Sequence, residues 1–271
     1  MVVIVMAEEN DKDPGYPEDV QAKLELVWGE GFLSPGGPAE VSRILGTKSI
    51  SGCKILDIGS GIGGADVSLV QDHDAGSVVG IDVQKELIDL ASNRARKLNL
   101  ENQIKYQLVT PGLLPFADES FDVTFSKDAI IHVREKAALY AEIFRILRPG
   151  GRLLVSDWLR GDGDAMTPMV EEFIAASGHD FTLVSLRELE GIVEEVGFVE
   201  VELEDRRDWY FKEATGELEK LRGPLNAQFL ELWGDEATQD EITFWEVLVA
   251  ALEKGAIRPG HIRGVKSTGA L

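Results

Sequence analysis

At 271 residues the chain fits one large domain, or one domain with a small cap. Its composition, 44% hydrophobic and 28% charged, is that of a globular protein, and no apolar run approaches the roughly 20 residues of a bilayer span. The net charge of −21 repels phosphate backbones and anionic lipids, so neither nucleic acid nor a membrane is an expected partner.

The chain begins MVVIVM, which is apolar but short. Without the basic flank and cleavage region of a signal peptide, it points to a cytoplasmic protein with a packed or frayed terminus. A helix is expected over 17–30, with Pro17 in its first turn and acids following. The turn-rich GEGFLSPGG comes next, then a short helix near 38–46. From there strands and helices alternate: strand 54–59, helix 62–72, strand 77–83, helix 84–98, strands 104–110 and 121–128, helix 134–147, strand 151–158, helix 185–198 and a strand over 199–206. That alternation predicts an α/β fold, a mostly parallel Rossmann-like sheet covered on both faces. Residues 209–254 read as amphipathic helix interrupted around RGPLN, and 260–266 as a last strand. Trp209, Tyr210, Phe229, Trp233 and Trp245 read as packing residues. The expected organisation is a lid or cap over 1–50, a core over 51–208 and a helical part over 209–271 that completes it.

Cys53 is the sole cysteine, which excludes an intrachain disulfide and a cysteine-rich metal site. His73, His132, His179 and His261 show no ligand spacing, so no metal is expected.

The most informative stretch is LDIGSGIGG (56–64), a strand running into a glycine turn and a helix. Such a turn aims backbone N–H groups at a ligand. It lacks the G-x-x-x-x-G-K-[ST] of a P-loop. Gly59-x-Gly61-x-x-Gly64, with Asp82 18 residues further on, does match the dinucleotide spacing, which keeps a nicotinamide-dependent oxidoreductase open. Asp57 shifts the weight. Near a pyrophosphate it would repel; near the ammonium of an amino-acid moiety it would attract. S-adenosylmethionine carries that ammonium and no phosphate, and Asp82 would accept its ribose hydroxyls. The alternative role for Asp57 is a cap on the turn.

LLPFADESFDVTFSKDAIIHV (113–133) and ILRPGGRLLVSDW (146–158) resemble the later motifs of class I S-adenosylmethionine-dependent methyltransferases. YPEDVQAKLELVWGEGFLSPGG (16–37), SKDAIIHV (126–133) and HDFTLVSLRELEGIVEEVGFVEVELEDRRDWY (179–210) further resemble the phosphoethanolamine N-methyltransferases. That resemblance implies an enzyme methylating a small polar acceptor, with Tyr16 and His132 as a catalytic pair. It implies cofactor contacts at Ser34, Asp57, Gly59, Ser60, Gly61, Asp82, Val83 and Lys127. Thr110 stands where many methyltransferases have an aspartate at the adenine amino group. Asp128 would lie near the substrate amine. Trp158, His179 and Phe181 stand where the family holds phosphate with tyrosines and an arginine. A dianionic acceptor would therefore lose charge-assisted bonds worth roughly 1.5–3 kcal/mol each, unless Arg160, Arg206, Arg207, Arg258 or Arg263 compensates. The acceptor thus stays open between phosphoethanolamine, a carboxylated amine or amino acid, and a thioether. A binding protein without catalysis is a further alternative. His132 as a cap on the next helix, and Tyr16 as a surface residue, are the plainer readings of those two positions.

Overall fold

Side chains alternate across each strand, so neighbours in KILDI serve opposite layers. Ile55 packs with Ile44, Leu69, Val78 and Phe125, whereas Leu56 packs with Ile143, Leu153, Val155 and Val193. Both faces of the sheet are apolar for this reason, and helices must cover both. The structure is a computed structural model that describes residues 15–163 and 166–268. The expectation for MVVIVM lies outside the described residues.

The strands are β1 (Lys54–Ile58), β2 (Ser77–Asp82), β3 (Ile104–Leu108), β4 (Phe121–Lys127), β5 (Leu147–Asp157), β6 (Phe198–Asp205) and β7 (Gly260–Lys266). Their spatial order is β3-β2-β1-β4-β5-β7-β6. Pairing is parallel from β3 through β5, and β7 runs antiparallel between β5 and β6. The expected mostly parallel α/β sheet is therefore present. Helices α2 (Gly37–Leu45), α3 (Gly64–Gln71) and α4 (Lys85–Lys97) share one apolar layer. Helices α5 (Lys136–Ile146) and α7 (Leu186–Val196) share the other.

A helical lobe stands at one end. It comprises α1 (Glu18–Trp28), α6 (Pro168–Ser177), α8 (Arg207–Arg222) and α9 (Asn226–Lys254). Leu24 and Val27 of α1 pack with Leu221, Phe229 and Trp245. Buried Glu217 joins the same helices, accepting from the indoles of Trp28 at 2.8 Å and Trp245 at 3.1 Å. The expected break around RGPLN separates α8 from α9, and Gly234 adds a kink with φ 79°. Among the described residues, no helix is long and apolar enough to cross a membrane.

Two differences from the expected elements have local causes. Strand β5 starts at Leu147 rather than 151, because Leu147 pairs with Phe121 ahead of an irregularity in the ladder. Helix α6 was not expected, although its signals stand in the sequence. Thr167 caps it, Pro168 occupies the first helical position, and Gly178 closes it at φ 72°.

Candidate active site

From β1 the chain steps outward to β2 and β3; with β4 and β5 it goes the other way. Strands β1 and β4 are neighbours at this switch point, the place where open α/β sheets bind ligands. A cavity of about 890 Å³ lies there, within the size range of small-molecule sites. It is lined from β1 by Asp57, Gly59, Ser60 and Gly61, and from β2 by Asp82 and Val83. Thr110, Lys127, Asp128 and His132 line it from beyond β3 and β4, and Tyr16 and Ser34 from the N-terminal segment. Trp158, His179 and Phe181 do not line it.

The glycine loop is built for close approach. Gly59 has φ 74°, and a Cβ there would lie 2.2 Å from that of Ala129 in the loop after β4. Gly59 and Ser60 donate to the carbonyl of Ile81 at 2.9 and 3.0 Å, tying the turn to β2. Asp82 accepts from the amides of Gly61 at 3.1 Å and Gln84 at 3.0 Å, which fixes its carboxylate at the rim. Below the loop sits a second acid, Asp66, fully buried, that the sequence reading did not single out. The buried Asp57 and Asp66 carboxyls lie against each other, and Asp66 also against the Tyr106 hydroxyl. Burial, then the neighbouring Asp66, holds the Asp57 carboxyl well above the usual range; burial pushes Asp66 up to about 7.

Burial likewise pushes Asp157, at the end of β5, up to about 7. A carboxyl raised above its unfolded value binds more protons when folded, so stability falls as pH rises through the folded pKa. The protein should therefore melt several degrees higher at about pH 5.5 than at about pH 7.5, at roughly 2–4 °C per kcal/mol. A flat profile, or one rising with pH, in thermal melts would contradict this.

The N-terminal segment closes over the loop. The Tyr16 amide donates to Gln84 Oε1 at 3.0 Å. Arg94 of α4 donates to the Ile62 carbonyl at 3.0 Å and to Glu25 of α1 at 2.8 Å, and Glu25 accepts from the Gly31 amide at 2.6 Å. Gly64 donates to the Gly31 carbonyl at 3.0 Å, and a Cβ on Gly64 would meet that oxygen at 2.2 Å. Lys127 Nζ hydrogen-bonds Ser34 Oγ from the same segment.

The turn after β4 brings in His132. A 3-10 turn, Ile130–His132, places its Nε2 3.3 Å from the Tyr16 hydroxyl. The ring of His179 stacks on Tyr16 at 5.1 Å, and Phe181 meets His132 edge-on at 5.0 Å. Trp158 packs further away, against Tyr210 at 5.0 Å and Phe173 at 6.2 Å. His179 and Phe181 thus back the Tyr16–His132 pair, and Trp158 lies behind Tyr210.

Asp128 has φ 58°, a strained backbone for a residue with a side chain. Its carboxylate is 1% exposed and pairs with Lys127 at 2.9 Å. It also accepts from Ser156 at 2.8 Å and from the Tyr210 hydroxyl at 3.3 Å. Tyr210, read from the sequence as packing alone, therefore also serves the site. Its signal was weak, because an aromatic on an amphipathic helix is ordinarily core.

The five candidate compensating arginines are engaged elsewhere, and none lines the cavity. Arg160 binds Glu188, Arg206 binds Glu40, Arg207 binds the carbonyls of Leu252 and Glu253, Arg258 binds Asp205 and Arg263 binds Glu204.

The sheet order, the glycine turn and the acid ending β2 together define the class I methyltransferase fold. The chain belongs to the methyltransferase domain family, whose model matches residues 49–214. It is similar to phosphoethanolamine N-methyltransferase of Triticum aestivum, 30% identical over 93% of this chain and 50% of that protein. It is also similar to phosphoethanolamine N-methyltransferase 1 of Arabidopsis thaliana, 31% identical over 89% of this chain and 49% of the relative. The chain thus spans about half the length of these curated relatives. Among solved structures, phosphoethanolamine N-methyltransferase 2 of Haemonchus contortus superposes with a TM-score of 0.82 at 25% identity. That match covers 93% of this chain and 58% of the other, which was solved with phosphomonomethylethanolamine and S-adenosylhomocysteine.

Proposed function

We propose that this chain transfers the methyl group of S-adenosylmethionine to the nitrogen of a small amine, with residues 1–50 as the lid, 51–208 as the cofactor-binding core and 209–271 completing it. The observation that carries the reading is the Tyr16–His132 contact at one end of the cavity whose other wall is the glycine loop. The residues fit the cofactor. Asp57 presents a buried carboxyl to the cavity beside Asp66, and Asp82 stands where ribose hydroxyls need an acceptor. The glycine backbone leaves room for close approach. When bound, the cofactor supplies an electrophilic methyl group on a sulfonium.

The chain's own residues supply position and proton handling. An acceptor ammonium has no lone pair and must first lose a proton. The Tyr16 oxygen takes that proton as its own passes to His132 Nε2, and the N-terminal segment excludes water around the reacting atoms. Most of the acceleration is alignment of the acceptor nitrogen, methyl carbon and sulfur.

The charges around the cavity bear on how a phosphate-bearing acceptor would be held. Among the described residues lining the cavity, the cations are Lys85 and Lys127, against the acids Asp57, Asp82, Glu86 and Asp128. Lys127 is paired with Asp128, and Lys85 with Asp89. A dianionic group would meet no guanidinium there. The deciding experiment measures S-adenosylhomocysteine release with phosphoethanolamine, glycine, its methylated forms and thioethers. Turnover of an amine supports the reading. Binding of S-adenosylhomocysteine without turnover of any acceptor would overturn it in favour of a cofactor-binding protein. Turnover of thioethers alone would move the reaction to sulfur.

A further inference from the structure

Lys136 and Asp157 do not line the cavity, and both stand where their charge is costly. Lys136 opens α5 with 3% exposure, a cation at the positive end of a helix. Asp157 ends β5 with 1% exposure. Burial lowers the lysine's pKa and raises the aspartate's, and each charge opposes the other's shift.

Their partners belong to one turn. Lys136 Nζ donates to the carbonyls of Ile130 at 2.7 Å and Val133 at 3.2 Å. Asp157 Oδ1 accepts from the Ile131 amide at 3.0 Å. The Ile131 carbonyl accepts from the Thr182 amide at 2.9 Å, one residue beyond Phe181. The 130–131 and 133–134 peptide groups, one step before and one step after those that flank His132, are thus held by these two side chains. A free 3-10 turn of three residues has poor hydrogen-bond geometry and would leave the imidazole loosely aimed.

We propose that Lys136 and Asp157 are positioning residues for methyl transfer: they grip the Ile130–Val133 turn from opposite sides and so fix the His132 ring against Tyr16. The proposal rests on the reading of Tyr16 and His132 as the proton-transfer pair. A buried pair that only supported the fold would bind any nearby backbone. Apart from a contact of Asp157 with the backbone of Trp158, the side-chain hydrogen bonds of this pair go to the turn that carries His132.

The test is a double-mutant cycle on the full chain, with kcat, KM for the amine, S-adenosylhomocysteine affinity and melting temperature measured for each variant. Lys136→Met should lower kcat at least about ten-fold, with cofactor affinity changed by less than about two-fold. In a His132→Ala background the same substitution should change kcat by less than about two-fold. Asp157→Asn keeps an oxygen for the Ile131 amide and should retain kcat within about three-fold, whereas Asp157→Ala should lose as much as Lys136→Met. Should Lys136→Met fail to fold, the Asp157→Asn and Asp157→Ala pair run through the same cycle decides. Equal losses in both backgrounds would overturn the positioning role while leaving the function intact. Undiminished amine turnover by His132→Ala would overturn both.

Discussion

Replacing His132 with alanine should lower turnover of an amine acceptor by about 10²–10⁴-fold, the usual contribution of a positioned acid–base group. Binding of S-adenosylhomocysteine should be largely unchanged, because the glycine loop, Asp57 and Asp82 are untouched. The loss should sit in kcat more than in KM, since proton removal is a need of the transition state. Tyr16→Phe separates two contributions. It keeps the ring that stacks on His179 at 5.1 Å and removes only the hydroxyl 3.3 Å from His132. If the hydroxyl relays the proton, Tyr16→Phe falls close to His132→Ala and the double variant is no worse than either. If Tyr16 only closes the site, Tyr16→Phe stays near wild type. A thioether already has a lone pair on sulfur, so methylation of such an acceptor should survive both changes. The pair of variants thus identifies the acceptor atom as well as the residues. Near-wild-type amine turnover by His132→Ala would remove it from the mechanism.

The sequence made the scaffold of this site legible because its signals are local. A strand of buried residues, a turn of glycines and an acid at the next strand's end need no distant partner to be read, and Asp57, Gly59, Gly61 and Asp82 all line one cavity. Tyr16 and His132 are 116 residues apart; nothing in their spacing brings them together, and only the family resemblance paired them. The supports of the site were less visible. Arg94, Asp157 and Tyr210 act through hydrogen bonds to residues 26–82 positions away, and Lys136 through bonds to the backbone of a turn with no regular period. From sequence, Lys136 is one more cation on an amphipathic helix, and Asp66 one more acid in a first helical turn. Burial, which decides what those charges cost, is a property of the assembled layers. The same reasoning explains Trp158, His179 and Phe181. The family resemblance set them near the acceptor; in the structure His179 stacks on Tyr16, Phe181 meets His132 edge-on, and Trp158 packs against Phe173 and Tyr210.

Stability should respond most strongly at Glu40. This carboxylate of α2 is 2% exposed and accepts from Arg206 at 3.0 and 2.6 Å and hydrogen-bonds His261 Nε2 at 2.8 Å. It joins three elements: α2, the start of α8 and β7. Gly36 makes room for it, since a Cβ there would lie 2.6 Å from both Glu40 Cβ and the Trp209 ring. Despite burial, the hydrogen bonds from His261 and Arg206 bring its pKa down to about 2. Glu40→Ala strands a buried guanidinium, which costs about 3–5 kcal/mol and should lower the melting temperature by about 10 °C or more. Glu40→Gln keeps the shape and one acceptor oxygen and should cost less. Glu200 provides the control: it meets Lys48 at 3.1 Å, but both side chains are more than half exposed. Glu200→Ala should cost about 0–1 kcal/mol, and less still in high salt. The sign with pH also separates Glu40 from Asp66 and Asp157. A depressed carboxyl contributes above its unfolded pKa and loses that contribution as pH falls from about 4.5 toward 2, so the Glu40→Ala deficit should persist at about pH 5.5 and shrink only in stronger acid. Because α2 follows the loop carrying Ser34, the same substitution should also weaken binding of S-adenosylhomocysteine through the Ser34–Lys127 contact. Equal melting temperatures for Glu40→Ala and Glu200→Ala would show that the buried network contributes no more than a surface pair.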